Sequence, residues 1–167
     1  RIKQSVEKIR DDLGLDSYPK IYLITKLLAR QELQALHYLC NCYVSLHRSE
    51  GWGLGNSESM AAGNYTIGTN YSGNKEFMTI DNSGLVSYQL APVYGMSFNP
   101  GWREIYKGDQ IWADPSIIDA RAHMRWAFDH RDLASQKAEQ GQKDLSNKFS
   151  VSKIAEQVKG LLDTIPE

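Results

Sequence analysis

One stretch limits what this chain can fold into. Tyr43-Val44-Ser45-Leu46 is a short apolar, β-branched and aromatic run of the kind that forms a buried strand. Glu50-Gly51-Trp52-Gly53-Leu54-Gly55-Asn56-Ser57-Glu58 follows, and Met60-Ala61-Ala62-Gly63 closes the block. The helix formers behind the glycines predict a short helix that stops at Gly63. The order is therefore strand, glycine-rich turn, helix. Glycines let a backbone pass close to a ligand, and a helix start offers unpaired N–H groups and a partial positive charge. Together these attract phosphate.

The two carboxylates in the block ask for different chemistry. Glu50 lies in the turn, at the mouth of the strand, and Glu58 about one helical turn inside the helix. Carboxylates repel phosphate and only accept hydrogen bonds, so their natural match is a pair of hydroxyls, as on a sugar or a ribose. A phosphate between two sugar-like ends is the outline of a nucleotide sugar.

The rest of the chain alternates strand and helix. Ile2, Val6, Ile9 and Leu13 recur at helical spacing, with Gly14 at the expected end and Pro19 beyond it. Ile21-Tyr22-Leu23-Ile24 reads as a buried strand and Arg30 to Leu39 as a helix. Tyr65 to Thr69 is the next strand, Lys75 to Met78 a single helical turn, and Leu85-Val86 a short strand. Asp81 to Asp109 reads as a long loop or insertion, kept ordered by Tyr94, Phe98 and Trp102. Ile111-Trp112-Ala113 returns to the sheet edge, and Asp114-Pro115-Ser116 looks like a helix entry. Ile117, Ala120, Met124 and Ala127 mark a helix ending near His130. Leu133 to Phe149 reads as a polar, solvated surface helix. A last helix carries Ile154, Val158, Leu161 and Leu162 as its buried face. This pattern predicts an α/β fold, a Rossmann-like parallel sheet with helices on both faces.

Ser45-Leu46-His47-Arg48-Ser49-Glu50-Gly51-Trp52-Gly53-Leu54 and Glu58-Ser59-Met60-Ala61-Ala62-Gly63 resemble the signature of retaining GT-B glycosyltransferases of the family 4 type (glycosyltransferase group 1). The likeness continues through Ile67 to Met78, more faintly to Trp112-Ala113-Asp114-Pro115, and so covers most of the chain from about Ile21 onward. It implies the C-terminal, donor-binding half of a two-domain enzyme, residues 1–167 forming one domain without its opening strand. The acceptor domain, and an Arg and Lys pair for the diphosphate, would lie upstream. The parent enzyme would move a sugar from a nucleotide diphosphate donor to a sugar, lipid-linked or protein acceptor, with retention, and this piece alone would be inactive.

The resemblance also assigns roles. Glu58 would accept both ribose hydroxyls. Glu50 would face the donor sugar and stabilise an oxocarbenium-like transition state. Gly51, Trp52, Gly53 and Leu54 would act through backbone N–H groups on the diphosphate and donor sugar, with the Trp52 side chain packing. Ser72, Gly73 and Asn74 open a second strand–helix turn at the same sheet edge, with Glu76 a further candidate. Each has a plainer reading. Glu58 alone is an ordinary helix glutamate, Glu50 a loop acid capping a helix, and the glycines a tight turn without a ligand. Arg48 either helps neutralise a diphosphate or is a surface arginine. His47 is a poor catalytic base, because the family's histidine belongs to the other domain. His37, His123 and His130 suggest nothing special. Asn56, Ser57 and Asn64-Tyr65 depart from the family pattern. No cofactor or metal is expected, since no Asp-x-Asp motif is present to hold one.

Composition narrows the field further. A net charge of −1 gives no electrostatic case for nucleic acid. No apolar run approaches a membrane span, and Cys40 and Cys42 are too close for a metal or redox pair. Free thiols point to a reducing cytoplasm, with the full-length protein either free or at the membrane surface. Two other readings stay open. One is a non-catalytic GT-B-like module that binds a nucleotide or a protein. The other is a sugar epimerase of the same architecture.

Overall fold

The computed structural model describes residues 2–14, 16–93, 105–106 and 109–165. Its centre is a parallel sheet of β1 (Cys42–Ser45), β2 (Tyr65–Thr69) and β3 (Gly84–Val86), in that order. Val44 pairs with Ile67, and Ile67 with Gly84. Parallel strands need a crossover, and α3 (Leu54–Ala61) supplies it between β1 and β2. β2 is buried along its whole length. Tyr65 and Ile67 point to one face, where Val86, Ala120, Ala134 and Ala138 complete a cluster. Gly68, the next residue and so facing the other way, lies against Met78 and Asn56. There Met60, Phe77 and Met78 form a second cluster with Trp52, Leu85, Leu145 and Phe149. Helices thus cover both faces, α4 (Ile117–Asp129) through Ala120 on one and α3 through Met60 on the other.

Several expectations hold closely. α2 runs Arg30–Leu39, and Glu32 accepts from the Ala29 N–H at 2.8 Å to close its first turn. Ser116 caps α4 by accepting from the Asp119 N–H. The single helical turn is a 3₁₀ turn at Gly73–Glu76, slightly earlier than expected.

Four expectations need correction. Ile21–Ile24 forms no strand. Its side chains are exposed, Tyr22 at 79%, because an apolar run becomes a strand only where a sheet edge accepts it. Among the described residues β1 pairs with β2 alone, so β1 is a half-buried edge strand, not a buried one. α5 (Arg131–Phe149) is more than a solvated element. Ala134, Ala138 and Gly141 bury one stripe of it, and a Cβ at Gly141 would stand 2.7 Å from Met60 Cε. Those residues are too small to register as an apolar face. The apolar stripe of α6 (Val151–Leu162) is exposed, Leu161 at 68%, since among the described residues nothing covers it. The same holds for α1 (Ile2–Leu13).

The short strand expected at Leu85–Val86 is β3, and the expected loop from Asp81 to Asp109 also contains β4 (Tyr88–Pro92). β4 pairs antiparallel with β5 (Ile111–Pro115) in a separate two-stranded sheet. β5 does not join the main sheet as a strand, but the Ala113 N–H donates to the Arg48 carbonyl at 3.0 Å beyond β1. Tyr94, Phe98 and Trp102 lie outside the described residues.

The core holds two groups that resist ionisation. Burial, with the nearby Cys40, pushes the Cys42 thiol from 9.0 up to about 11. Burial, helped by Cys42, pushes the Tyr65 hydroxyl from 10.0 up to about 12. Both release protons more readily when unfolded. Stability is therefore unaffected below about pH 9 and falls as pH rises through the window up to the folded values. Melting temperature should decline between about pH 9 and 11, and Cys42→Ser should make the decline shallower. An equal decline in both proteins would contradict this.

Candidate functional site

The site forms where β1 and β2 end. Gly53 caps α3 with φ 87°, a left-handed conformation suited to glycine, and no side chain caps the helix. The first N–H groups of α3, at Leu54, Gly55 and Asn56, have no partner within the helix. Leu54 is exposed at this end.

The second turn locks onto the first. The Gly73 N–H donates to the Glu50 carbonyl at 3.1 Å. A Cβ on Gly73 would lie 2.5 Å from the Gly51 carbonyl carbon and 2.8 Å from Trp52 Cα, and nearer still to the Gly51 oxygen. Only glycine permits this approach. Ser72 accepts from the Glu50 N–H at 2.8 Å and donates to the Glu50 carbonyl at 2.7 Å, both through one hydroxyl. Its backbone sits at φ 67°, ψ −144°, and it is the one non-glycine residue with positive φ among those described. Such a conformation costs about 1–3 kcal/mol and persists only when its surroundings hold it.

Asn74 is buried beneath both turns. Its amide donates to the Thr69 carbonyl at 2.9 Å, and its oxygen lies 3.1 Å from His47 Nε2. The same nitrogen is 3.2 Å from the Tyr71 carbonyl, so His47 joins the end of β1 to the second turn. Asn74 therefore acts in this structure as a brace under the site. Glu76 is exposed, and its carbonyl accepts from Lys148 at 2.8 Å.

Trp52 packs as expected, its ring centroid 4.9 Å from Phe77 and 4.8 Å from Phe149. Its indole N–H donates to Ser57, which donates in turn to the Leu54 carbonyl. The polar start of α3 thus fixes the tryptophan. Asn64, another departure from the family pattern, is buried and donates to the His37 carbonyl at 2.7 Å, joining α2 to β2. Arg48 meets Asp114 at 3.2 Å and stacks 4.6 Å over Trp112. This geometry makes it an anchor for β5.

Glu50 is exposed and Glu58 half-buried. Both act on Tyr43, whose hydroxyl is held above its ordinary pKa mainly by burial, then by these two carboxylates, against a lowering hydrogen bond to Ser45. Both carboxylates therefore lie within electrostatic reach of one hydroxyl. Tyr43 is the site residue that sequence reasoning missed. Its hydroxyl lies beneath Gly55, where a Cβ would overlap it. An aromatic residue in a strand before a glycine turn was the available signal. Glu58 also lines a recess of about 140 Å³ between α2 and α3, beside Arg30, Gln34, His37 and Tyr38. No hydrogen bond or ion pair engages either carboxylate among the described residues. Among those residues, no three His, Cys, Asp or Glu side chains group as metal ligands.

Residues 19–89 match the family model of glycosyl transferases group 1. Both turns and both glutamates fall inside that span. A search of curated proteins found no match. Among solved structures, HepE of Anabaena, crystallised in complex with UDP and glucose, superposes with a TM-score of 0.58 at 18% identity. The match covers 97% of this chain and 36% of HepE, so the chain spans little more than a third of that protein's length. At that identity the likeness speaks for fold alone, a Rossmann-like α/β fold of the GT-B type with its parallel sheet flanked by helices. Among the described residues no helix is long and apolar enough to cross a membrane.

Proposed function

We propose that this domain binds the donor of a retaining glycosyltransferase of the family 4 type, a sugar carried on a nucleoside diphosphate. Glu58 accepts the ribose hydroxyls, and the uncapped start of α3 faces the diphosphate. Glu50 meets the sugar near its reacting carbon, where its charge stabilises positive charge developing in the transition state. Gly51, Trp52, Gly53 and Leu54 contribute backbone N–H groups, and Ser72 and Gly73 shape the opposite wall, with Asn74 bracing it from beneath. The acceptor, a sugar, a lipid-linked sugar or a protein, belongs to a partner domain of the whole enzyme, and this chain alone transfers nothing. The helix end takes the place of a metal. The enzyme works in the cytoplasm, free or at the membrane surface.

One observation carries this reading. Two glycine turns interlock at one sheet edge, beside an uncapped helix start, with a carboxylate in the first turn and another on the helix behind it. The span matched by the glycosyltransferase family model and the UDP bound in HepE support it. A thermal-shift titration with UDP and GDP tests it. At a hundredfold excess over Kd, a ligand that binds only the folded state adds about 2.7 kcal/mol, so one of the two should raise the melting temperature by several degrees. If millimolar UDP and GDP both leave the transition unmoved, the reading fails.

A further inference from the structure

We propose that Ser72 is the positioning residue for Glu50, an inference that rests on the reading of Glu50 as the donor-sugar contact. Glu50 lies in an exposed turn, and no hydrogen bond or ion pair directs its carboxylate among the described residues. What fixes Glu50 is its backbone. The single Ser72 hydroxyl serves both sides of it, accepting from the N–H at 2.8 Å and donating to the carbonyl at 2.7 Å. That uses the hydroxyl as acceptor and donor at once. The Gly73 N–H adds a third bond to the same carbonyl.

The backbone of Ser72 shows that the arrangement is selective. Its φ of 67° with ψ of −144° belongs to a region that glycine occupies freely and other residues avoid. Glycine would fit the turn without strain but would leave the Glu50 N–H and carbonyl short of a partner. The side chain earns its place through the hydroxyl alone. The two bonds hold the Glu50 backbone at one distance from the second turn, and so hold the carboxylate over one part of the ligand. Glu58 stands on α3 and takes no support from Ser72. A loss at Ser72 should therefore weaken contacts to the sugar and spare those to the nucleotide.

Two measurements on Ser72→Gly and Ser72→Ala test this. Amide hydrogen exchange followed by NMR needs no ligand. The Glu50 N–H should exchange about tenfold faster in both variants, the effect of one lost hydrogen bond. Ser72→Gly should melt above Ser72→Ala, because glycine accepts the conformation and alanine does not. Calorimetry then compares UDP with UDP-glucose, and GDP with GDP-mannose. In Ser72→Gly the sugar nucleotide should lose about tenfold more affinity than the matching diphosphate. Unchanged exchange at Glu50, or equal weakening of diphosphate and sugar nucleotide, overturns the proposal. If the wild-type chain binds none of the four, the nucleotide-sugar reading fails and takes the sugar-positioning role with it. The exchange rates would then separately show whether Ser72 holds Glu50.

Discussion

Gly73→Ala is expected to destabilise the fold by about 3 kcal/mol and to abolish nucleotide binding. The added methyl would meet the Gly51 carbonyl and Trp52 Cα, which are backbone atoms that cannot turn aside. Relief requires the two turns to part, which breaks the Gly73 to Glu50 bond and moves Trp52 off Phe77 and Phe149. In a domain of this size the melting temperature should fall by about 10 °C. Gly51→Ala is the control. Nothing lies within 4 Å of a Cβ there, and its φ is not positive. That variant should stay within about 0.5 kcal/mol of the parent. Equal stability of the two variants would show that the turns do not touch.

Glu58→Ala is expected to cost about 100-fold or more in affinity for whichever diphosphate binds, at almost unchanged stability. Hydrogen bonds to a charged group contribute about 1.5–3 kcal/mol, and a carboxylate facing a vicinal diol makes two. Stability should hold because no hydrogen bond or ion pair ties this half-buried carboxylate to the protein among the described residues. The 2′,3′-dideoxy form of the same nucleotide sharpens the result. It should bind the parent as weakly as the natural nucleotide binds Glu58→Ala, and the variant should not distinguish the two. A variant that still prefers the natural nucleotide would remove the ribose from Glu58.

Both turns were legible in the sequence because glycine and carboxylate patterns are local. Strand β2 and helix α2 were legible because four strand formers in five residues and a clean helical period need no tertiary context. What escaped notice depended on partners. Ile21–Ile24 has the composition of a strand, yet a strand exists only as part of a ladder. The α6 stripe has the period of a buried face, yet burial needs a second surface. The α5 stripe failed in the opposite sense, because Ala134, Ala138 and Gly141 pack closely by being small. The links among Ser72, Asn74, His47 and Glu50 cross more than twenty residues of chain, and no spacing rule points to them.

The central claim is that the two turns together form one ligand site. An NMR titration of the labelled chain with UDP and with GDP addresses it most directly. The active nucleotide should shift amide signals from Gly51 to Gly55 and from Ser72 to Asn74 together, along one binding curve. Shifts gathered instead around His123, Trp126 and Lys137, which line a separate cavity of about 510 Å³, would contradict the account.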